Sequence, residues 1–448
     1  MFYRKLLDKL DEWQKKNDRK PLILRGARQV GKTTAVDMFS QSFENYIKLN
    51  LELFKDREIF KDQYSIKELF QAILVTKNVT LTPGKILIFI DEIQNSPTAI
   101  KMLRYFYEEM KDLYIIAAGS LLEIYLEKED LSFPVGRVEY LYMYPLTFEE
   151  FLVAKNQEKL VQEYNSIPLK IYAHPKLLEL FYQFTLVGGM PEIVQKNINN
   201  ENLPNLSSVY ESILTSYLDD SEKYARNPTM RYLLRHCIEA IPSETGKRIK
   251  FQGFGNSNYR SREVGEALKL IERAMLIYLI YPSTSTSTPL SLNFKKSPKL
   301  QFVDTGILNY AAGIQHEYYR YHDLHSIYRG VIAEHIVRQE LIASHLESNK
   351  KPAFWTRERS QSNAEVDILY QKDNYLIPVE VKSGKSGSLK SLQQYMNQCD
   401  HSFAVRLYGD KLDFHKVETA NNKAYHLLNL PYYLAGKLDE YLTVYFKE

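Results

Sequence analysis

Cysteine is almost missing from this chain. Cys237 and Cys399 are the only two among 448 residues, and neither belongs to a C-x-x-C pair. A disulfide scaffold and a cysteine-based zinc site are thereby excluded. Long apolar runs are missing too. No stretch approaches the roughly 18 uncharged apolar residues that a spanning helix needs. The opening segment, MFYRKLLDKLDEWQKK, is charged throughout, unlike a secretory leader. Nor is there an excess of one charge: 58 Lys and Arg face 55 Asp and Glu, a net +3. That excludes a protein coating polyanions with its whole surface, while leaving local basic patches open. With 44% hydrophobic, 13% aromatic and 25% charged residues, the chain is neither disordered, collagen-like nor coiled coil. A soluble, cytoplasmic protein of several domains is expected, without membrane contact.

Apolar runs at Leu22–Leu24, Tyr46–Leu51, Ile86–Ile90, Tyr114–Ala118 and Val138–Tyr144 read as strands. Amphipathic stretches between them, such as Pro97–Lys111 with Ile100, Leu103, Phe106 and Tyr107, read as helices. Strand–helix alternation with apolar strands predicts a parallel sheet covered on both faces. No internal repeat is present.

Gly26-Ala27-Arg28-Gln29-Val30-Gly31-Lys32-Thr33 fits G-x-x-x-x-G-K-[ST] at every fixed position, with a strand before it and a helix from Thr34 after it. Such a loop turns successive N–H groups and a helix N-terminus toward phosphate oxygens. Lys32 is expected on the β- and γ-phosphates, and Thr33 on Mg²⁺. Lys85-Ile-Leu-Ile-Phe-Ile-Asp91-Glu92 puts two acids at the carboxyl end of a buried strand, where open α/β sheets build their sites. Asp91 is the candidate metal partner and Glu92 the candidate base for the attacking water. Ser120 reads as a sensor of the γ-phosphate or as a helix cap. Arg137 reads as a transition-state charge, in cis or from a neighbouring subunit, or as an ordinary surface arginine.

Arg25–Thr34, Phe89-Ile-Asp-Glu-Ile-Gln94, Ala118-Gly-Ser120, Gly136-Arg137 and Tyr144-Pro-Leu-Thr-Phe-Glu-Glu-Phe151 resemble the AAA-type ATPases of an archaeal and bacterial group. In that group the ATPase is fused to a C-terminal domain of poorly defined function. Leu186-Val-Gly-Gly-Met-Pro-Glu192 is similar to the group's helical lid, and the resemblance runs on through Leu300–Leu308 to Val379–Ser383. It implies ATP and Mg²⁺ as cofactors.

Between Gly246 and Arg273 the chain has a local charge excess, with Lys247, Arg248, Lys250, Arg260, Arg262, Lys269 and Arg273 against Glu263, Glu266 and Glu272. A helix from Ser261 with Val264, Leu268, Ile271 and Met275 on one face leads to strands at Leu276–Tyr281 and Pro289–Phe294 around a Ser/Thr-rich loop. Helices followed by a β-hairpin read as a winged helix, with Lys295, Lys296 and Lys299 beside the wing for DNA phosphates. Protein contact is the alternative use of such a module.

Near the C-terminus, Glu365-Val-Asp367 and Ile377-Pro-Val-Glu380-Val-Lys382 read as strands joined at Asp373-Asn374. That turn sets Asp367 opposite Glu380, with Cβ atoms roughly 5 Å apart, and Lys382 on the same face. Glu334, on a preceding helix, could add a third carboxylate, and Gln393 or Gln394 a wall. This patch could hold Mg²⁺ or Mn²⁺. The spacing resembles PD-(D/E)xK nucleases, except that Val366 stands where they favour proline. A plain ion-paired hairpin, or a nuclease-like fold that binds without cutting, are the other readings. Trp355, Arg357 and Arg359 read as a backbone groove or as core, and His322 and His325 as surface.

The expected fold is α/β: a P-loop ATPase core over residues 1–147, a helical lid over 148–205, a winged helix over 206–318 and a restriction-endonuclease-like domain over 319–448. The expected function is ATP hydrolysis coupled to action on DNA, with nucleotide state controlling the C-terminal domain. The alternative is a nucleotide-gated switch or protein-binding module whose nuclease-like domain is inactive. A homo-oligomer or a protein partner is compatible with either.

Overall fold

The computed structural model describes residues 2–119, 133–199, 203–223, 225–315, 329–357, 364–384 and 387–446. Ser120, His322, His325 and Arg359 lie outside the described residues. Packing divides the chain into two units. The first is Met1–Tyr144 with the short segments Arg273–Met275 and His345–Asn349; the second comprises Pro145–Glu272, Leu276–Ser344 and Lys350–Glu448. No helix among the described residues is long and apolar enough to cross a membrane. Both cysteines are free and buried.

The first unit is built on five strands: β1 (Leu22–Gly26), β2 (Asn45–Asn50), β3 (Ile86–Asp91), β4 (Leu113–Ala118) and β5 (Glu139–Met143). They lie in the order β2-β3-β4-β1-β5, and every neighbouring pair is parallel. This is the parallel sheet that the apolar runs predict. Leu87 to Ile90 are wholly buried because the sheet is covered on both faces. Helices Ile66–Lys77 and Pro97–Glu109 supply Leu69, Ile73, Ile100 and Leu103 to one of its cores. Their starts are fixed locally. Ser65 and Glu68 form a capping box, and Ser96 accepts from the Ala99 N–H ahead of Pro97. The β1-to-β2 connection passes over β3 and β4. The carboxyl ends of β1 and β3 thus flank β4, where such a sheet opens a crevice.

The second unit contains helices Phe148–Ala154, His174–Val187, Pro191–Ile198, Leu203–Lys223, Pro228–Glu244 and Ser261–Arg273. The short strand β6 (Ile277–Ile280) follows, together with β7 (Pro282–Ser283) and β8 (Lys299–Phe302). Ile277 pairs antiparallel with Phe302, so the strand that returns to β6 is β8. This corrects the expected strand at Pro289–Phe294, of which only a bridge from Ser283 to Leu292 forms. Thr288-Pro289 and Ser297-Pro298 bracket that stretch, and proline donates no ladder hydrogen bond. The expected boundaries at 205/206 and 318/319 fall inside this unit.

Helix Arg329–Ala343 then leads into β9 (Ala353–Thr356), β10 (Glu365–Lys372), β11 (Tyr375–Val381), helix Lys390–Met396, β12 (Phe403–Tyr408), β13 (Asp413–Glu418) and β14 (Ala424–Pro431). The sheet order is β13-β14-β12-β11-β10-β9-β7. β9, β10 and β11 form an antiparallel meander, and β12 returns parallel to β11 after the helix. Trp355 is buried in the core beside Tyr395, their rings 5.3 Å apart at 85°.

Asp304 ties two of the family-like segments together. It caps helix Thr305–Ala311 by accepting from the Ile307 N–H at 3.0 Å, and it accepts from the Gly189 N–H at 2.7 Å. A Cβ on Gly188, whose φ is +75°, would collide with this carboxylate, and one on Gly306 with the Val187 carbonyl. Burial pushes the Asp304 pKa up from 3.8 to about 6, and the backbone N–H donors only partly offset it. The folded state therefore holds this proton more tightly than the unfolded one. Its contribution is full below about pH 4 and is lost as pH rises through about 6, a change of about 3 kcal/mol. In urea unfolding across that window, wild-type stability should fall by this amount relative to that of Asp304→Asn; parallel curves would contradict it.

Candidate functional site

β1 ends at Gly26, and helix Lys32–Phe39 begins just past Gly31. Between them Gln29 and Gly31 take positive φ values of 63° and 94°, which wraps the loop's N–H groups inward. At Gly26 a Cβ would strike the Met143 carbonyl of β5, so no larger residue fits there. Ala27 and Val30 are buried beneath the loop, whereas Gln29 and Thr34 are exposed and Arg28 is partly so. Arg4 fastens the loop from a distant part of the chain. It donates to the Val30 carbonyl at 2.8 Å and to the Tyr144 carbonyl at 2.6 Å. Nothing near Arg4 in the sequence announces that role.

Lys32 is buried, and its ammonium donates to the Gly26 and Ala27 carbonyls, both at 2.9 Å. Burial lowers its pKa to about 8, although Glu92 and Asp91 pull the other way. The Thr33 hydroxyl donates to Asp91 at 2.8 Å, which joins the loop of β1 to the end of β3. Asp91 has its pKa raised by burial, against the Thr33 hydrogen bond and the Lys32 charge. Glu92 follows at φ +52°, a conformation rare for a side-chain-bearing residue. Its carboxylate accepts from the Gln94 amide at 2.5 Å, and the other amide atom of Gln94, Oε1, is buried without a partner. Gln94 belongs to the quoted motif, yet its hold on Glu92 is not readable from sequence.

Lys32, Thr33, Asp91 and Glu92 thus converge at one end of the sheet. Arg137 does not join them. It precedes β5, whose Glu139 lies opposite Leu22 while Met143 lies opposite Gly26. Arg137 therefore sits at the amino end of the strands, more than about 13 Å of strand from the loop. There it pairs with Glu108 at 2.9 Å. This corrects the expectation of a role in cis, and the ion pair with Glu108 is what the ordinary surface arginine reading expects.

The C-terminal carboxylates gather as the hairpin spacing predicts. Ile368 lies opposite Val379 and Lys372 opposite Tyr375, with Asp373 at φ +51° in the turn. Asp367 and Glu380 come next along the ladder. The Asp367 carboxylate accepts from the Val381 N–H at 2.8 Å, and Lys382 pairs with Glu380 at 2.7 Å. Glu334 is present too, but it is engaged. Lys299 reaches it at 2.7 Å and Arg338 at 2.5 Å. Lys299 also pairs with Glu365 at 2.7 Å, and Arg248 holds the other Glu365 oxygen at 2.6 Å. The Lys299 side chain is only 5% exposed and that of Arg338 2%.

This corrects the reading of Lys299 as a wing lysine waiting for phosphate: it is buried among acids. Although burial works against each, the cations hold the Glu334 pKa low and the acids hold that of Lys299 high. Burial, then Glu334 and Glu380, raises that of Asp367. Glu380 Oε2 is buried without a hydrogen-bond partner. Among the described residues, no group of three or more His, Cys, Asp or Glu side chains is arranged to hold a metal ion. The Gln394 side-chain oxygen accepts from Arg357 at 2.9 Å.

Comparison with known proteins bears on both ends of the chain. Residues 18–152 match the model of an AAA domain. The N-terminal unit is a P-loop ATPase domain. Residues 178–318 and 329–430 match two domains of unknown function, DUF8612 and DUF4143. The chain is 23% identical over 326 residues to an uncharacterised protein of Methanocaldococcus jannaschii, covering 68% of this chain and 65% of that one. It is 24% identical over 312 residues to an uncharacterised protein of Haemophilus influenzae, covering 65% and 69%. The chain thus spans slightly less than two thirds of the first relative's length. Among solved structures, a Walker-type ATPase of Pyrococcus abyssi aligns with a TM-score of 0.43 at 16% identity, over 69% of this chain and 96% of that one.

An AAA domain takes ATP with a divalent cation, and the ATPase site fits both. A threonine hydroxyl and a carboxylate 2.8 Å apart are the hard oxygen donors that Mg²⁺ requires. Because Lys32 loses its proton near pH 8, and phosphates favour its charged form, ATP affinity should fall as pH rises through about 8. Calorimetry above that pH, in two buffers of different ionisation heat, should register uptake of close to one proton per ATP bound. Uptake of none would contradict the burial of Lys32.

Proposed function

We propose that this protein binds and hydrolyses ATP and acts on DNA, with its nucleotide state controlling how the second unit engages DNA. The observation that carries the nucleotide half is the Thr33–Asp91 hydrogen bond beneath a complete phosphate loop. In this reading the loop N–H groups and Lys32 bind the triphosphate, and Thr33 and Asp91 hold Mg²⁺. Bound Mg²⁺ would offset charge on the β- and γ-phosphates. Glu92 takes the proton of the attacking water. Gln94 holds Glu92 by its carboxylate, so Glu92 must exchange that partner for water before it acts. Ser120 remains a proposed γ-phosphate sensor, and Arg137 a proposed charge supplied to a second copy.

The DNA half rests on surface chemistry. Lys247, Lys250, Arg260, Arg262, Lys269, Lys295 and Lys296 are all exposed, while Val264, Leu268 and Ile271 bury the opposite face of helix Ser261–Arg273. An isolated antiparallel bridge from Arg248 to Lys299 lies beside the two-stranded sheet of β6 and β8, supporting a winged-helix reading of 206–318. The helix, three-stranded meander, helix and parallel strand from Arg329 to Tyr408 support a nuclease-like reading of 319–448.

The second reading is a nucleotide-gated switch that cuts nothing, favoured by Lys299 and Arg338 pairing with Glu334. Both readings share one test. Fluorescence anisotropy should show labelled duplex DNA bound by the full chain, with affinity falling steeply as salt rises, about one logarithmic unit of slope per phosphate contact. Arg262→Glu with Lys269→Glu should weaken binding about tenfold or more. Absent or salt-insensitive binding would refute the DNA role and favour a protein partner.

A further inference from the structure

The acidic cluster of the second unit carries its own counter-charges. Four carboxylates, those of Glu334, Glu365, Asp367 and Glu380, stand with four cations, Lys299, Arg338, Arg248 and Lys382. The cations come from separate parts of the chain. Lys299 lies on β8 and Arg338 on the helix of Glu334, while Arg248 precedes both and Lys382 follows β11. Arg338 also donates to the Asp367 carbonyl at 3.1 Å and to Gln301 at 3.4 Å, which fixes its guanidinium inside the cluster. Lys299 is further set by the Phe354 ring, 5.3 Å from its ammonium. We propose that Lys299 is a built-in cation that closes this carboxylate site to divalent metal, so that the wild-type C-terminal domain takes no metal there and cuts no DNA.

Electrostatics supports this assignment. A divalent ion needs two or three carboxylates whose charge is not already met. Here Glu334, the helix-borne ligand, receives two cations at 2.7 and 2.5 Å. An incoming ion would face an ammonium and a guanidinium that have no route to water, since both side chains are almost wholly buried. The unpartnered Oε2 of Glu380 shows where the remaining acid capacity lies. Removing the Lys299 charge alone would free one Glu334 interaction and one Glu365 interaction, yet leave each of those acids a partner in Arg338 and Arg248. The site would then lose the ammonium that stands among Glu334, Asp367 and Glu380.

The inference rests on reading residues 319–448 as nuclease-like, and its test is independent of DNA binding. Mn²⁺ binding is measured by electron paramagnetic resonance on the nucleotide-free full chain, for wild type, Asp367→Asn, Lys299→Met and the double variant. Wild type and Asp367→Asn should bind equally, so that no ion depends on Asp367. Lys299→Met should gain one ion, held about tenfold or more tightly than any in wild type, and the double variant should lose it. A wild-type Mn²⁺ site that disappears in Asp367→Asn would overturn the proposal, as would Asp367-dependent nicking of supercoiled plasmid by wild type with Mn²⁺. So would a Lys299→Met chain that is folded by circular dichroism yet gains no ion. Should Lys299→Met fail to fold, wild type against Asp367→Asn still decides. Loss of DNA binding with this Mn²⁺ pattern intact would sink the DNA role alone.

Discussion

A carboxylate buried at a strand end must be given a counter-charge, and the two units of this protein meet that requirement in opposite ways. In the first, Asp91 ends β3 with a threonine hydroxyl as its near partner. The nearby ammonium of Lys32 is turned toward loop carbonyls. The charge balance is completed from outside, by a nucleotide and its cation. In the second, the Glu334 carboxylate is met from inside, by Lys299 and Arg338. Burial raises the cost of leaving either acid unpaired. What fills the counter-charge position therefore sets what each site can do.

The ATPase unit shows how much scaffold such a site needs. The loop approaches β5 closely enough that only glycine fits at position 26. Arg4 links the loop's Val30 carbonyl to the end of β5 with one guanidinium. Glu92 is held beside Asp91 by a left-handed backbone and by Gln94. These contacts fix the loop and the two acids before any nucleotide arrives, so binding free energy is not consumed in ordering them.

Local pattern made much of this legible. The phosphate loop, the five apolar strands and the register of the Asp367–Glu380 hairpin all follow from residues adjacent in sequence or from a two-residue turn. What stayed hidden is long-range. Arg4 reaches the loop across 26 residues and β5 across 140. Lys299 follows Lys295, Lys296 and a proline, so it reads as one more exposed lysine. Its burial depends on acids 35 and 66 positions away, Glu334 and Glu365. The strand paired with β6 differs from the expected one for a related reason: Pro289–Phe294 has strand-like composition, but β6 pairs with Lys299–Phe302 instead. Arg137 precedes β5 and so stands at the amino end of a parallel sheet, away from the loop, where its pair with Glu108 matches the surface-arginine reading.

The central claim is that the first unit turns over ATP with Glu92 as base on a site assembled by Thr33 and Asp91. The most direct measurement is steady-state phosphate release beside ATP binding, for wild type and Glu92→Gln. The account predicts that turnover falls by about 10²–10⁴-fold while ATP still binds, because the amide keeps the shape but cannot accept the proton. Turnover unchanged in the variant, or ATP binding lost along with it, would contradict the account.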